Sequence, residues 1–180
     1  GGTESNNLAI LGAVGRMRGR QVLAVSAVEH PSVREAFNLL AEQGHDVRVI
    51  GVDAAGQLKW DELEAALDDG ASLVSCMQVN SETGAVLDAA RLHAIVNGRA
   101  LIHVDGVQGF LRVPFDMKLA DLYTVSSHKL HGPKGVGALV TSSRVKLTAR
   151  ALGGGQEKSL RSGTENTPGI AGLMAAIESY

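Results

Sequence analysis

The chain has 180 residues, with 17 Lys and Arg against 19 Asp and Glu and a formal net charge of −2. This balance, without a basic block, argues against a nucleic-acid-binding surface, and the apolar runs are too short for a transmembrane helix. Hydrophobic residues make up 44% and aromatic residues 3% of the sequence, which is typical of a soluble globular domain with one substantial core.

Cysteine usage and the two termini add three expectations. Cys76 is the one cysteine, which excludes an intrachain disulfide and favours a reducing compartment, so we expect a cytoplasmic protein. The chain opens on GGTESNNLAI, without a methionine or a signal segment. It also stops inside a helical pattern, so we expect a piece of a longer chain.

Helical spacing of apolar residues recurs along the chain. We predict helices over about residues 4–18, 31–43, 60–67 and 88–97, and from Pro168 onward. Thr3 is the predicted N-cap of the first helix, and Pro31 suits the first turn of the second.

Short, almost continuously apolar runs lie between these helices, as expected for strands that are buried on both faces. They cover residues 22–27, 46–52, 72–79, 100–105, 122–127 and 136–141. Strands that alternate with helices predict an α/β fold with a mostly parallel sheet and right-handed crossovers. The glycine-rich segment 153–166 is the one long irregular region, and loops of that length are usually functional or disordered.

Polar residues follow several of the predicted strands. Ligands of open parallel sheets bind beyond the carboxyl ends of the strands, so these residues are the candidates for a site. They are His30, Asn80, Asp105, Gln108, Ser126, His128 and Lys129.

The stretch SSHKLHGPKG, residues 126–135, raises the question of a reactive lysine. Lys129 lies between two serines, a histidine and a rigid GPKG turn, and a lysine held in this way can become a nucleophile. The alternative is an ordinary exposed lysine. For Lys134, inside GPKG, we expect a structural or exposed role.

Four other residues suggest complementary chemistry, each with a simpler alternative. Asp105 in HVDGVQ is placed to pair with a protonated ring nitrogen, or only to cap a turn. Thr3 and Ser126 are placed to bind a phosphate at a helix start, or to act as caps. His30 can stack on a planar ring, or be a hydrogen-bonded boundary histidine. Together with Lys129, these residues form the set that holds pyridoxal 5′-phosphate (PLP). No histidine pair has the spacing of zinc ligands.

Six ordered stretches make the sequence resemble the cysteine desulfurases, which are class V aminotransferases of PLP fold type I. The stretches are GGTESNNLAI, EHPSV, VNSETGAV, HVDGVQ, SSHKLHGPKGVGAL and GGGQEKSLRSGTEN. The resemblance implies a three-layer α/β/α fold with a seven-stranded type of sheet. It also implies that residues 1–180 are part of the PLP-binding large domain, with an N-terminal segment and a C-terminal small domain outside them.

The resemblance assigns roles to individual residues of this sequence. Lys129 would bind the cofactor covalently and His30 would stack on its ring and relay protons; these two are the expected catalytic residues. Asp105 would pair with the ring nitrogen. The other expected cofactor contacts are Gln108 and Asn80 near the ring oxygen, and Thr3, Ser126 and His128 at the phosphate. Thr164 would reach the phosphate of a second subunit, which implies a homodimer with shared sites.

The implied reaction removes sulfur from L-cysteine and leaves L-alanine and an enzyme persulfide. An acceptor or scaffold protein would take the persulfide sulfur for iron–sulfur cluster assembly or thiolation. Cys76 lies in an apolar strand run, LVSCMQV, and is read as a core residue, so the sulfur-accepting cysteine is expected outside this chain. Two alternatives stay open: another class V enzyme, such as a selenocysteine lyase or an aminotransferase, and a truncated domain that is inactive alone.

Overall fold

A single six-stranded sheet organises the protein, which is described by a computed structural model of residues 1–180. The strands are β1 (Val22–Ser26), β2 (Asp46–Ile50), β3 (Ala71–Met77), β4 (Leu101–Asp105), β5 (Leu122–Ser126) and β6 (Gly137–Thr141). Their spatial order is β2-β1-β3-β4-β5-β6; neighbouring strands are parallel except β5 and β6, which are antiparallel. The predicted α/β fold with a mostly parallel sheet is confirmed. Each predicted run forms one strand, so the sheet has six strands and not the seven implied by the resemblance.

Five α-helices connect or flank these strands. They are α1 (Gly2–Val14), α2 (Pro31–Glu42), α3 (Trp60–Asp68), α4 (Ala89–Val96) and α5 (Thr167–Glu178). Short 3-10 turns cover Met117–Leu119, Ser127–Leu130 and Gln156–Ser159. All five predicted helices are therefore confirmed, and none of them is both long and apolar enough to cross a bilayer.

The first helix begins and ends earlier than predicted, and this changes the position of Thr3. Gly1 is the N-cap and makes no side-chain cap bond. The Ser5 N–H already donates to the Gly1 carbonyl at 3.0 Å, which places Thr3 inside the first helical turn. The prediction that Thr3 is the N-cap is therefore wrong, because the helical hydrogen-bond pattern starts two residues before it.

The helices form layers on both faces of the sheet because successive strand residues point to opposite faces. Leu73 of β3 packs in a core cluster with residues of α1 and α2. Its neighbour Val74 packs in a second cluster with residues of α3, α4 and α5. Both faces of β3 are therefore buried, which explains its almost continuously apolar sequence.

The parallel strands end at one edge of the sheet, and this edge carries the polar side chains. Asp105 is the last residue of β4, and Ser126 is the last residue of β5. Gly106 follows directly, and a Cβ there would lie only 2.0 Å from the Tyr123 ring. A residue without a side chain is thus required for the chain to turn away immediately behind Asp105.

Cys76 lies in β3 with 2% of its surface exposed, so the expectation that it is a core residue is confirmed. Burial raises the pKa of its thiol well above the ordinary value. The thiolate, which is the reactive form of cysteine, is therefore strongly disfavoured in the native protein.

We expect Cys76 to react with iodoacetamide only when the protein unfolds. Labelling followed by mass spectrometry should give an unmodified native protein and complete modification in urea. The denatured sample is the control for reagent activity. Rapid labelling under native conditions would contradict the burial of Cys76 in the sheet.

Candidate cofactor-binding and active site

A cavity of about 880 Å³ opens at the carboxyl edge of the sheet, next to the first turn of α1 and the start of α2. It brings together most of the residues that the sequence singled out. Those lining it are Thr3, His30, Asp105, Gln108, Ser126, His128 and Lys129. Asn80 and Thr164 do not line it.

Asp105 places a buried carboxyl at the floor of this cavity, with 5% of the residue exposed. Its Oδ1 accepts from the Val107 N–H at 2.9 Å, and its Oδ2 accepts from the Asn6 amide at 2.8 Å. Burial outweighs these two donors and the nearby His30, so the pKa of Asp105 lies above its ordinary value. No lysine or arginine forms an ion pair with Asp105. The carboxylate is therefore available to a cationic group that enters the cavity.

His30 is both a cavity residue and the N-cap of α2. Its Nδ1 accepts from the Ser32 backbone N–H at 3.1 Å and lies 2.8 Å from the Ser32 hydroxyl. These bonds orient the imidazole at the junction of the β1–α2 loop and the helix. Its Nε2 makes no hydrogen bond within the protein and is left for the cavity.

The opposite end of the cavity suits an anion. The first turn of α1 leaves backbone N–H groups unpaired there, next to the hydroxyls of Thr3 and Ser126. The Ser126 hydroxyl is 3.0 Å from Nδ1 of His128. A Cβ on Gly2 would lie 2.9 Å from Val107 Cγ2 and 3.3 Å from Ser126 Cβ. The close approach of α1 to the end of β5 therefore depends on this glycine.

Lys129 lies on the 3-10 turn after β5, half-buried, and lines the cavity. Its carbonyl accepts a hydrogen bond from Arg112, which also donates to Gln108 Oε1 at 3.3 Å. Because a guanidinium only donates, the Gln108 oxygen must face Arg112 and its amide nitrogen is left for the cavity. Lys134 is exposed and does not line the cavity.

Asn80 is buried beside the cavity, and its side chain forms hydrogen bonds both within its own turn and to the β1–α2 loop. Its Oδ1 accepts from the N–H groups of Glu82 and Thr83, both at 2.9 Å, and its Nδ2 donates to the Val28 carbonyl at 3.1 Å. Asn80 therefore shapes the loop after β3 in this structure.

Thr164 is exposed in the glycine-rich segment. This segment is tied to the first turn of α1 by an ion pair between Arg161 and Glu4 at 2.7 Å. The pair connects the segment that carries Thr164 to the end of the cavity that suits an anion.

Three buried residues of the site were missed by the sequence reasoning: Asn6, Ser32 and Glu29. Asn6 connects Ser32 to Asp105, with 2.9 Å and 2.8 Å from its Nδ2 to the two acceptors. A polar residue on the apolar face of a helix was the available signal for Asn6. Nothing in the sequence separates Glu29 from an exposed glutamate.

Glu29 is 6% exposed, and both of its hydrogen bonds end on one carboxyl oxygen. The Ser26 hydroxyl and the Met77 N–H both donate to its Oε1, at 2.5 and 2.7 Å, whereas Oε2 has no partner. Burial, together with the charge of Asp105, raises the pKa of Glu29 to about 8. Glu29 therefore carries a proton at neutral pH and binds the β1–α2 loop to the end of β3.

We expect the stability of the protein to fall from about pH 5 to pH 8 because of Glu29. Its pKa of about 8 in the folded state exceeds the ordinary glutamate value of 4.5, so the folded state binds one more proton over this window. The loss is on the order of 1 kcal/mol per pH unit. Glu29→Gln cannot ionise, so its stability advantage over the wild type should grow as pH rises.

Urea unfolding followed by circular dichroism at several pH values measures this difference. Glu42→Gln, at an exposed position of α2, is the matched control and should follow the wild-type pH dependence. Parallel curves for Glu29→Gln and the wild type would show that Glu29 is ionised in the folded state.

Curated proteins and solved structures are similar to this chain over its whole length. A cysteine desulfurase of Nostoc sp. is 41% identical over 180 residues, covering 98% of this chain and 45% of that protein. A NifS-like protein of known structure is 38% identical with a TM-score of 0.93, covering 99% of this chain and 50% of the other. SspA in complex with cysteine is 34% identical with a TM-score of 0.94, covering 100% of this chain and 54% of the other.

The chain thus spans about half the length of the relatives it matches. The similarity extends to the fold, since these TM-scores describe a shared arrangement of the whole α/β unit. The model of the family described as "Aminotransferase class-V" matches residues 1–180. This chain therefore belongs to the class-V aminotransferase family.

Proposed function

We propose that residues 1–180 form the PLP-binding part of a cysteine desulfurase, an enzyme that converts L-cysteine to L-alanine and passes the sulfur to a cysteine thiolate. The observation that carries this proposal is the convergence of Lys129, Asp105 and His30 on one cavity. The cysteine desulfurase of Nostoc sp. and the structure of SspA with cysteine support the substrate. The remaining segments of such an enzyme would lie outside these residues.

The residues present fit PLP, the cofactor of class-V aminotransferases. The cavity of about 880 Å³ has the size of a typical cofactor site. Asp105 is a buried carboxylate without a cationic partner, which suits a protonated pyridine nitrogen. The anion site near Thr3 and Ser126 suits the phosphate, and the Lys129 amine can bind the aldehyde.

When bound, PLP supplies an electron sink that stabilises a carbanion at the substrate carbon. The contribution of Asp105 is a fixed negative charge that keeps the ring nitrogen protonated. The Gln108 amide nitrogen, oriented by Arg112, is available to donate to the ring oxygen. His30 would lie against the ring face and offer Nε2 to the reacting atoms. Lys129, once released by the substrate amine, would hold or move a proton near that carbon.

Transfer of sulfur requires a thiolate, which attacks the substrate sulfur and becomes a persulfide as the carbon–sulfur bond breaks. Cys76 is unsuited to this role because it is buried within the sheet and its pKa is strongly raised. The accepting cysteine is therefore proposed to come from outside these residues. An acceptor or scaffold protein would then take the sulfur.

The proposal also includes a homodimer in which Thr164 reaches the phosphate of a second subunit. The exposure of Thr164 and the Arg161–Glu4 pair support it, because they leave the hydroxyl outside its own cavity while holding its segment near the surface of α1. Asn80 would contact the substrate side of the ring. It would do so from the loop after β3, which its hydrogen bonds stabilise.

We expect PLP added to the chain to develop a visible absorbance band that depends on Lys129. Lys129→Ala should abolish the band, because the variant lacks the amine that lines the cavity. Lys134→Ala, at an exposed position outside the cavity, should leave it unchanged. Borohydride reduction and peptide mass spectrometry should place the cofactor on Lys129. A band that persists in Lys129→Ala would contradict the assignment.

The reaction is tested in the full-length natural protein that contains these residues. We expect L-cysteine with a thiol reductant to yield alanine and sulfide in equal amounts, and Lys129→Ala to reduce the rate by at least about a hundredfold. Selenocysteine and a keto-acid amino acceptor are assayed in parallel. Amino transfer without sulfide release would identify an aminotransferase, and activity on selenocysteine alone would identify a selenocysteine lyase.

A further inference from the structure

A chain of four hydrogen-bonded side chains connects the floor of the cavity to its wall. Asp105 Oδ2 accepts from Asn6 Nδ2 at 2.8 Å, and the same nitrogen is 2.9 Å from the Ser32 hydroxyl. The Ser32 hydroxyl is in turn 2.8 Å from Nδ1 of His30. Asn6 and Ser32 are buried, whereas His30, at the end of the chain, is exposed to the cavity.

The position of each proton in this chain follows from the charge of Asp105. An ionised carboxylate only accepts, so Asn6 must present its amide nitrogen to it. The second N–H of Asn6 then points to the Ser32 oxygen, which accepts it and gives its own proton to His30 Nδ1. The buried Oδ1 of Asn6 has no partner within the protein, so this orientation of the amide leaves one buried acceptor unsatisfied.

The backbone of α2 also favours an unprotonated Nδ1 on His30. The Ser32 N–H also donates to His30 Nδ1, at 3.1 Å, so this nitrogen faces two donors. A proton on Nδ1 would place two N–H groups against each other. Neutral His30 therefore carries its proton on Nε2, the nitrogen that is left for the cavity.

We propose that Asn6 and Ser32 are positioning residues that make the hydrogen bonding at His30 Nδ1 depend on the charge of Asp105. While Asp105 is ionised, His30 is held as an Nε2–H donor towards the cavity. If the group at position 105 donates instead, the Asn6 amide turns over and accepts from both neighbours. The Ser32 proton then points to Asn6 and leaves His30 Nδ1.

This inference deepens the proposed function. Its relevance to the reaction rests on that proposed function. An Nε2–H group can donate to an anionic sulfur or carboxylate of a bound amino acid, but it cannot accept a proton at that nitrogen. Pairing of Asp105 with a cationic ring keeps the carboxylate ionised. Cofactor binding would thus also keep the second donor, the Ser32 hydroxyl, on His30 Nδ1.

Histidine labelled with ¹⁵N tests the starting arrangement in the chain without any assay of activity. Long-range ¹H–¹⁵N spectra distinguish a protonated from an unprotonated ring nitrogen, and His30→Gln identifies the signals of His30. We expect an unprotonated Nδ1 and a protonated Nε2. His45 is the internal reference because its Nδ1 accepts the Gln21 N–H at 3.0 Å. A protonated Nδ1 in neutral His30 would overturn the proposal.

The dependence on Asp105 is tested with a double-mutant cycle. In Asp105→Asn, the Val107 N–H retains the side-chain oxygen, so the new amide nitrogen faces Asn6 and forces it to turn. We expect this substitution to shift the ring-nitrogen signals of His30, and to shift them far less when Ser32→Ala is also present. Ser32→Thr, which keeps a hydroxyl, should restore the shift.

Asn6→Ala removes the hydrogen bonds of Asn6 to Asp105 and Ser32. It should therefore also suppress the effect of Asp105→Asn on the His30 signals. Unchanged His45 signals show in each variant that the fold is intact. An equal shift with and without the Ser32 hydroxyl would overturn the proposal. If PLP binding or cysteine turnover fails, the proposed function is refuted. The interpretation of the His30 spectra does not change in that case.

Discussion

A negative charge buried at the end of a central strand is the constraint on which this site depends. Asp105 ends β4, in the middle of the sheet, where it is shielded from water. A carboxylate in such a place is costly unless donors and a cation stabilise it. The protein supplies one donor to each oxygen, from Val107 and Asn6, and leaves the cationic position to a ligand.

The contrast with Glu29 shows how the surroundings decide the state of two buried acids. Glu29 receives both of its donors on the same oxygen and has no partner on the other. The charge of Asp105 adds to the burial that raises its pKa. One acid can thus remain the anion of the site, while the other serves as a neutral tie between the β1–α2 loop and β3.

The sheet topology explains why residues far apart in the chain meet. Parallel strands place the residues after β1, β4 and β5 at the same edge, and α1 lies against the end of β5 there. The fit to PLP and the proposed desulfurase activity both depend on this edge. The chain spans about half the length of its relatives, so the activity of a complete enzyme belongs to the proposal.

Local patterns in the sequence were sufficient to predict the secondary structure and most of the expected cavity residues. Apolar periodicity predicted all six strands and all five helices, because burial on one or both faces imposes a period on the chain. Strand-end positions and the family motifs predicted Asp105, Ser126 and Lys129 as cavity residues.

Contacts that involve several elements at once became visible only in the folded structure. It placed Thr3 inside a helical turn, joined Asn80 to the β1–α2 loop, and buried Glu29 between Ser26 and the end of β3. It also joined Asn6 to Ser32 across two helices. Such pairings depend on how elements pack in three dimensions, so no local pattern of residues could reveal them.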